Sequence, residues 1–304
     1  MTVGRVALVT SEAGLALDED LPAVVAALGE RGLTAEPVVW GGAGRTAWER
    51  FDLAVVRSTW DYAERLDEFL AWADGTARAT RLWNPAPLIR WNSDKHYLAE
   101  LARRGVAVVP TRFLEPGSPA APAVPGDPGG PAWPDGPDGV VVKPVVSAGA
   151  VDTARYEAGR SGEAARHARA LLEQGRGVMV QPYLPRVAEG ERALVLFDGV
   201  FSHAVRKEPL LTEPGVIDND RFPHPGVAAY RPTEAELRTA LAALAAVPSA
   251  RPPLFARVDL VLDAGGAPVV LELELVEPNL FLDADPQGPG RFADAVAARA
   301  RAER

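Results

Sequence analysis

The chain has 304 residues, with 32 Lys and Arg against 41 Asp and Glu, giving a formal net charge of −9 at pH 7. This balance argues against a nucleic-acid or membrane-surface partner, while 47% hydrophobic residues exclude disorder for most of the chain. Without cysteine there are no disulfides, thiolate nucleophiles or Cys-ligated metal centres, and no apolar run is long enough for a signal peptide or a spanning helix. We expect a soluble, cytoplasmic protein with one large domain or two to three small ones.

The first third of the chain alternates strand-like apolar runs with helix-like periodicity. Strands are predicted at 5–10, near 35–40, at 51–58 and at 81–83, and helices at 21–28, at 66–73, and from Ser93 and Asp94 to Gly105. Such alternation is typical of a parallel α/β unit. No G-x-G-x-x-G motif follows the first strand, so a dinucleotide-binding oxidoreductase loses its main support.

A proline-rich segment interrupts the chain between 116 and 138. Its prolines recur at every third position from Pro116 to Pro137, whereas its glycines follow no period, so a collagen repeat is excluded. We interpret it as a polyproline-type surface insertion, with a PxxP docking ligand as the alternative.

The remainder of the chain is typical of antiparallel α+β structure. Strands are predicted for GVVVKPVV, VDTARY and VMVQPY, with a helix near 162–173, and a hairpin is predicted around the Asp198-Gly199 turn. A capping box of Thr233 and Glu236 begins another helix. Two last strands flank Gly265-Gly266, and 290–302 is a closing helix.

The last predicted hairpin concentrates charge on one face. An even loop centred on Gly265-Gly266 places Asp259 opposite Glu272 and Arg257 opposite Glu274, while the leucines between them line the other face. Opposed carboxylates repel, and a divalent cation with oxygen ligands is the usual reason to group them. The alternative is a solvated polar face neutralised by its arginine. An odd loop would shift the pairing by one residue.

Lysine is rare in this chain, since only three of the 32 basic residues are lysines: Lys95, Lys143 and Lys207. These three positions are therefore candidates for a site that needs a compact point charge. Lys143 stands in an apolar strand and precedes a loop of small residues, Ser147, Ala148 and Gly149, of the kind that lets backbone N–H groups approach phosphates. The loop is not a Walker A motif. A solvated helix position is the alternative for Lys95.

The order of these features resembles the ATP-grasp superfamily of carboxylate–amine ligases. The resemblance rests on Lys95, on Lys143 in V-V-K-P, on the small-residue loop, on Gln-x-Tyr-Leu at 181–184, and on the R-V-D and E-x-E strands. It implies an ATP-grasp fold in three parts: a Rossmann-like pre-ATP-grasp domain at 1–92, a central lid domain at 93–184 that carries the insertion, and a C-terminal large domain at 185–304.

A narrower resemblance covers almost the whole chain. The segments RSTWDY (57–62), WNSDKHYL (91–98), EGERALVLFDGVFSHAVRK (189–207) and LELELVEPNLFL (271–282) are similar to the subgroup of D-cycloserine-forming cyclo-ligases. The activity implied is ATP-dependent, ADP-forming cyclisation of O-ureido-D-serine through an acyl phosphate, as part of antibiotic biosynthesis.

The resemblance also implies roles for individual residues. ATP would be held by Lys95, Lys143, Ser147, Ala148, Gly149, Gln181, Tyr183, Leu184, Glu189 and Glu191. Two Mg²⁺ ions would be held by Asp259, Glu272 and Glu274, where the last replaces the more common Asn. Arg206 and Lys207 would neutralise the transferred phosphoryl group, and Arg257 would stabilise the tetrahedral intermediate.

Substrate recognition is expected where the third strand ends, since ligands bind at the carboxyl edge of parallel sheets. The residues expected to contact the substrate are Arg57, Ser58, Thr59, Trp60, Asp61 and Asn279. Ordinary packing is the alternative for Trp60 and Tyr62.

Two other functions stay open at this point. One is an intermolecular ligase that joins two amino acids, and the other is a nucleotide-binding regulatory protein that has lost turnover. The expected partner is a small amino-acid-like substrate, with no nucleic acid or membrane, and family relatives suggest a homo-oligomer. His203 and His224 are interpreted as structural histidines.

Overall fold

A computed structural model describes residues 4–42, 46–117, 137–219 and 226–301. The N-terminal part folds into a parallel sheet with strand order β2-β1-β3-β4. Its elements are β1 (Gly4–Thr10), α1 (Glu12–Leu17), α2 (Leu21–Glu30), β2 (Leu33–Val39), β3 (Leu53–Ser58), α3 (Leu66–Ala79) and β4 (Arg81–Trp83). All six residues of β3 are buried, as expected for a central parallel strand covered on both faces. The predicted parallel α/β unit is confirmed.

The region after β4 differs from the single helix predicted from Ser93 to Gly105. It contains two short helices, α4 (Ala86–Asn92) and α5 (Tyr97–Arg103), separated by a turn. The Ser93 hydroxyl donates to the Ile89 carbonyl and ends α4, and the Lys95 N–H donates to the Val145 carbonyl at 2.9 Å. Because that N–H is bonded to another segment, Lys95 lies in the turn and not on a helix.

The central part folds into a second sheet, with order β5-β8-β6-β7 and antiparallel pairing throughout. It consists of β5 (Arg112–Leu114), β6 (Val140–Pro144), β7 (Ala154–Tyr156), α6 (Ser161–Glu173) and β8 (Val178–Pro182). The proline-rich insertion is covered by the structure only at its two ends, because 118–136 lie outside the described residues.

The C-terminal part forms the third sheet, with order β11-β10-β9-β12-β13. Its elements are β9 (Glu191–Phe197), β10 (Val200–Lys207), β11 (Val227–Tyr230), α7 (Glu234–Ala245), β12 (Phe255–Leu262), β13 (Pro268–Glu274) and α8 (Gly288–Arg301). The capping box of α7 is present as predicted. Strand β11 was not predicted, because its four residues at the sheet edge carry no alternation of apolar and polar side chains.

The three sheets contain the residues that the predicted division at 92 and 184 assigns to them, although these boundaries stay predictions. Helix α8 packs against α2, and Phe292 belongs to one hydrophobic core with Leu28 of α2 and Phe197 of β9. Helix α8 therefore joins the first sheet to the third. The shared core keeps β3 close to the β12–β13 hairpin.

Candidate functional site

A cavity of about 380 Å³ opens where the three sheets meet, and its volume is typical of small-molecule sites. Its walls come from the segment after β3, from β6 and the end of β8, and from β10, β12 and β13. The structure brings most of the predicted site residues to this cavity: Trp60, Lys95, Lys143, Ser147, Ala148, Gly149, Gln181, Tyr183, Leu184, Glu191, Lys207, Arg257, Asp259, Glu272, Glu274 and Asn279.

All three lysines of the chain line this cavity, although they come from different elements. Lys95 Nζ lies 3.1 Å from Glu272 Oε1, and Lys207 Nζ lies 2.6 Å from Asp259 Oδ2. The three lysines thus surround one space with ammonium groups, which is the arrangement that a polyphosphate needs. The prediction that the rare lysines mark the site agrees with their placement.

Lys143 differs from the other two lysines because its charge has no partner. Its Nζ makes no ion pair or hydrogen bond to any described residue, although the side chain is buried against the cavity. Burial lowers the pKa of Lys143, and the charges of Lys95 and Lys207 add to that effect while Glu272 opposes it. A buried cation without a counter-ion destabilises the fold, and an anionic ligand in the cavity would relieve this cost.

The charged face of the β12–β13 hairpin has the predicted pairing at its functional end. Arg257 pairs with Glu274 and Asp259 with Glu272, but the connecting loop has the odd length of 263–267. A bulge in β13, where the register shifts between Asp259 and Leu260, restores the pairing. The expectation of an even loop was wrong, and the extra residue in the strand compensates for it.

The same bulge moves Leu271 away from its predicted position on the core face. Leu271 packs with Val261 and Val269 and lines the cavity, whereas Leu260 belongs to the core on the other face of the sheet. Leu271 thereby joins Val261 in the apolar part of the cavity wall.

Arg257 organises the carboxylates around it. Its Nε and Nη2 donate to the two Asp259 oxygens at 2.9 Å each, and Nη2 also donates to Glu274. Burial by itself would raise the pKa of Asp259, but Arg257 and Lys207 outweigh it and hold the pKa at about 2. For Glu274 burial prevails over Arg257 and, with repulsion from Asp259 and Glu272, raises the pKa to about 7.

Magnesium ligation was predicted for Asp259, Glu272 and Glu274. Within the described ranges no group of three or more His, Asp or Glu side chains converges to hold a metal ion. Magnesium ions in nucleotide sites usually take one or two carboxylates and complete their shell with phosphate oxygens and water. Asp259 and Glu272 lie directly opposite each other with lowered pKa values, so they are the pair that could supply such ligands. All three carboxylates are bound by protein cations, Asp259 and Glu274 by Arg257 and Glu272 by Lys95, which a metal ion would have to displace. The three metal roles stay predictions.

The small-residue loop lies at the cavity wall as expected. The Ser147 carbonyl oxygen accepts from Lys95 Nζ at 2.7 Å, which ties the loop to the turn before α5. Gly149 and Ala150 have left-handed backbones with φ of 62° and 60°, and their N–H groups have no acceptor among the described residues. These N–H groups are free to bind an anion.

The predicted adenine hinge follows β8. The Tyr183 N–H donates to the Gly139 carbonyl at 2.9 Å and so is not free for a ligand. The Leu184 N–H, in contrast, finds no acceptor in the described part of the chain. Gln181 is buried at the cavity and donates from Nε2 to Thr111 Oγ1 at 2.9 Å. The hinge therefore offers one free backbone donor and one side-chain amide.

Two predicted residues of the C-terminal part do not line the cavity. Arg206 is exposed, because side chains alternate along β10 and its neighbour Lys207 takes the inward position. Glu189 forms ion pairs with Arg186 and Arg192 on the surface. Their expected contacts with the phosphoryl group and the ribose stay predictions that this arrangement does not support.

Four predicted substrate residues also lie outside the cavity lining. Arg57 and Ser58 belong to β3 itself, so their side chains are fixed in the sheet. Arg57 Nη2 is 3.5 Å from both Asp18 and Asp20. The Ser58 hydroxyl shares a hydrogen bond with the Thr10 hydroxyl, and the buried Thr59 hydroxyl has no partner among the described residues. The Asp61 carboxylate accepts from Trp40 Nε1. Among the residues predicted from this strand end, only Trp60 reaches the cavity.

The predicted site did not include Tyr62 and Glu277, which line the cavity, or Thr111, which contacts the cavity residue Gln181. For Tyr62, the sequence left ordinary packing as the alternative to a substrate contact. Glu277 follows the E-x-E strand, so its position next to that motif is the signal that identifies it as a candidate. Of the two histidines, His203 is buried with both ring nitrogens hydrogen-bonded, in agreement with a structural role. His224 lies outside the described residues.

Comparisons with known proteins agree with this arrangement. Residues 6–84 match the family model described as D-cycloserine synthetase DcsG, N-terminal domain. The chain is 40% identical over 303 residues to the cycloserine biosynthesis protein DcsG of Streptomyces lavendulae, covering 98% of this chain and 99% of that protein. In the described part of the chain, no helix has the length and apolar character needed to cross a membrane.

Two solved structures are also similar to this chain. The crystal structure of D-cycloserine synthetase DcsG superposes with a TM-score of 0.87 at 39% identity, covering 98% of this chain and 100% of the other. A RimK domain protein of the ATP-grasp type from Sphaerobacter thermophilus gives a TM-score of 0.65 at 21% identity, covering 96% of this chain and 99% of the other. The second likeness concerns the fold alone, and the predicted ATP-grasp fold is confirmed.

Proposed function

Because the chain belongs to the family of D-cycloserine synthetase DcsG, a family of ATP-dependent ligases with the ATP-grasp fold, we propose that it cyclises O-ureido-D-serine to D-cycloserine. The observation that carries the proposal is the convergence of all three lysines, Arg257 and the Asp259–Glu272 pair on one cavity. Cations that surround a space next to paired carboxylates suit the transfer of a phosphoryl group, since that reaction depends on positioning and charge neutralisation.

In the first proposed step, a carboxylate oxygen of the substrate attacks the γ-phosphorus of ATP. The bond from that phosphorus to the β–γ bridging oxygen breaks, so ADP leaves and an acyl phosphate remains. All three lysines line the cavity, and in this step Lys95 and Lys143 would bind the nucleotide phosphates while Lys207 would neutralise the transferred group. Magnesium held by Asp259 and Glu272 would neutralise charge on the phosphate oxygens.

In the second proposed step, a substrate nitrogen attacks the carbonyl carbon of the acyl phosphate and loses its proton, and inorganic phosphate leaves. In O-ureido-D-serine the nitrogen bonded to the side-chain oxygen closes a five-membered ring, and release of its carbamoyl group with one water gives D-cycloserine and carbamate. Arg257 is the cation placed to stabilise the oxyanion, since it lies between the Asp259 carboxylate and the Asn279 carbonyl at the cavity wall.

The proposed function is tested by ADP release. The purified protein is incubated with Mg-ATP and O-ureido-D-serine, its L-enantiomer, or a panel of D- and L-amino acids, and products are identified by mass. We expect ADP release only with O-ureido-D-serine, together with the mass of D-cycloserine. The Lys143→Met variant serves as the inactive control.

Other outcomes of this assay would contradict the proposal in different ways. ADP release that requires two different amino acids and yields a linear product would indicate an intermolecular ligase. Tight ATP binding without ADP release for any acid would indicate a regulatory nucleotide-binding protein.

Thr111 is predicted to set the preference for ATP over GTP. Its hydroxyl donates its single proton to the Val109 carbonyl at 2.9 Å, so it can only accept from Gln181 Nε2. Because Gln181 lines the cavity, its Oε1 is the amide atom left available to a base. An exposed amide oxygen accepts from the 6-amino group of adenine, whereas guanine presents a carbonyl there. Thr111→Val is expected to lower the ratio of kcat/KM for ATP to that for GTP by about tenfold.

Thr239→Val is the matched control for this prediction, because the Thr239 hydroxyl also donates to a backbone carbonyl but lies on α7 and forms no hydrogen bond with any described residue of the cavity lining. It should leave the nucleotide preference unchanged. An unaltered ratio in Thr111→Val would show that the orientation of Gln181 does not select the base.

A further inference from the structure

Glu277 is a carboxylate in the cavity that the mechanism above does not use. It lies in the segment that follows β13 and lines the cavity with its side chain partly buried. Of the five other acidic residues of the lining, four have a cation within ion-pair distance, namely Glu191, Asp259, Glu272 and Glu274, and Glu208 has none among the described residues. Glu277 forms no ion pair or side-chain hydrogen bond with any described residue. Its carboxylate therefore has no direct partner in the described part of the chain, and Lys95 and Arg257 act on it only from beyond ion-pair distance.

The neighbours of Glu277 at its own end of the cavity are aromatic. Trp60 Nε1 donates to the Glu277 backbone carbonyl at 3.1 Å, which places the indole of the N-terminal unit beside this residue. Tyr62 is the other aromatic neighbour, since Glu277 is the charge that most affects the pKa of its hydroxyl. Burial raises the pKa of Glu277, and repulsion from Glu274 adds to this effect while Lys95 opposes it. The site combines an unpaired carboxylate with two aromatic side chains.

This combination has a definite ligand chemistry. A carboxylate held among aromatic rings at the edge of a cavity binds an ammonium group well, because the ion pair compensates the charge and ring faces attract cations. A phosphate or carboxylate would be repelled from the same place. The cations that bind anions lie elsewhere in the cavity, where Lys95 and Lys207 face the paired carboxylates of the hairpin.

We propose that Glu277 binds the α-ammonium group of the substrate, with Trp60 and Tyr62 forming the wall behind it, so that the site selects acids that carry an amine next to the carboxylate. The proposal rests on the proposed function and deepens it. Binding the ammonium at Glu277 fixes one end of the amino acid. The adjacent carboxylate is then directed towards the lysine-lined part of the cavity where phosphate is transferred.

The proposal is tested with Glu277→Gln, which keeps the size of the side chain and removes its charge. KM and kcat are measured for the amino-acid substrate and for ATP, and the analogue of the substrate without its α-amino group is assayed in parallel. We expect KM for the substrate to rise about 30-fold or more, while KM for ATP changes less than twofold. Wild-type protein should discriminate strongly against the des-amino analogue, and Glu277→Gln should lose most of that discrimination.

Two further variants complete the experiment. Glu277→Asp keeps the charge on a shorter side chain, so it should restore part of the discrimination, and it replaces Glu277→Gln if the latter does not fold. Glu173→Gln removes an exposed carboxylate at the end of α6 and should behave like wild type.

The results that would overturn the proposal differ from those that would overturn the proposed function. An active wild type in which Glu277→Gln keeps both its substrate KM and its discrimination against the des-amino analogue removes the role of Glu277 alone. A raised requirement for Mg²⁺ with unchanged substrate KM would make Glu277 a metal ligand and would equally overturn the proposal. A wild type that is inactive with every amino acid removes the ligase function and this inference with it.

Discussion

Replacing Lys143 by methionine is expected to abolish ATP turnover and, at the same time, to stabilise the folded protein. The buried ammonium has no partner among the described residues, so methionine removes an uncompensated charge and keeps the volume of the side chain. We expect the free energy of unfolding without ligand to rise by about 1–3 kcal/mol, in the range found when buried charges give way to apolar groups. Loss of the phosphate contact should reduce kcat/KM by about 10³-fold or more.

The pH dependence of this stability difference has a definite sign. Burial lowers the pKa of Lys143 in the folded state below its unfolded value, so the unfolded chain binds more protons between the two values. The free energy of unfolding of the wild type therefore increases as the pH rises between the folded and the unfolded pKa of Lys143. Lys143→Met has no such increase. The advantage of the variant should be largest at neutral pH and shrink as the pH approaches the unfolded value of about 10.4.

Urea unfolding at several pH values, together with ADP release, measures both effects. The matched control is Arg103→Met, which removes a cationic side chain from the exposed end of α5 and should change neither stability nor turnover. A destabilised Lys143→Met that retains activity would contradict both the reading of the unpaired charge and the site assignment.

Replacing Glu272 by glutamine is expected to abolish turnover as well, but with the opposite effect on stability. Glu272 Oε1 forms an ion pair with Lys95 Nζ at a distance of 3.1 Å. The Lys95 side chain is 6% exposed and the Glu272 side chain is 26% exposed. Burial acts to raise the pKa of Glu272, but the charges of Lys95 and Lys143 outweigh it and lower the pKa. Because this carboxylate is partly solvated, we discount the usual cost of breaking a buried pair and expect a loss of about 1–3 kcal/mol.

The loss of activity in Glu272→Gln has a separate cause. The amide cannot replace a carboxylate as a hard anionic ligand, so the concentration of Mg²⁺ needed for half-maximal turnover should rise, and kcat/KM should fall about 10³-fold. The stability that Glu272 contributes is present above its unfolded pKa and is lost as the pH falls through the lower folded value. Wild type and variant should therefore converge in stability in acid.

A Mg²⁺ titration of turnover and an acid-to-neutral series of urea melts check this prediction. The control is Glu234→Gln, an isosteric change in a glutamate whose pair with Arg238 is almost fully exposed, which should have no measurable effect. Wild-type turnover in a folded Glu272→Gln would remove the Asp259–Glu272 pair from the proposed site.

The sequence was informative where chemistry is encoded in residue type and short-range spacing. Three lysines among many arginines pointed to positions that need a compact charge, and all three line one cavity. Alternation along β12 and β13 grouped Arg257, Asp259 and the two glutamates on one face. The pairing was predicted although the loop length was not, because a bulge cancels the odd loop.

The placement of side chains near strand ends could not be predicted in the same way. Arg57 and Trp60 are three residues apart, yet one is buried in the first sheet and the other lines the cavity, because β3 continues through Ser58 before the chain turns. Similarly, Arg206 and Lys207 differ only in which side of β10 they occupy. Such choices depend on where a strand ends and which face meets another sheet.

The sequence by itself thus determined the parallel N-terminal unit, the antiparallel remainder and the set of cations and carboxylates that make phosphoryl chemistry feasible. Only the tertiary structure decided which of these groups meet, which are neutralised and which remain unpaired. Periodicity reports one element at a time, whereas the states of Lys143 and Glu277 depend on charges brought by elements distant in the chain. Coulomb interactions act through space, and only the packing of the three sheets around one cavity sets those distances.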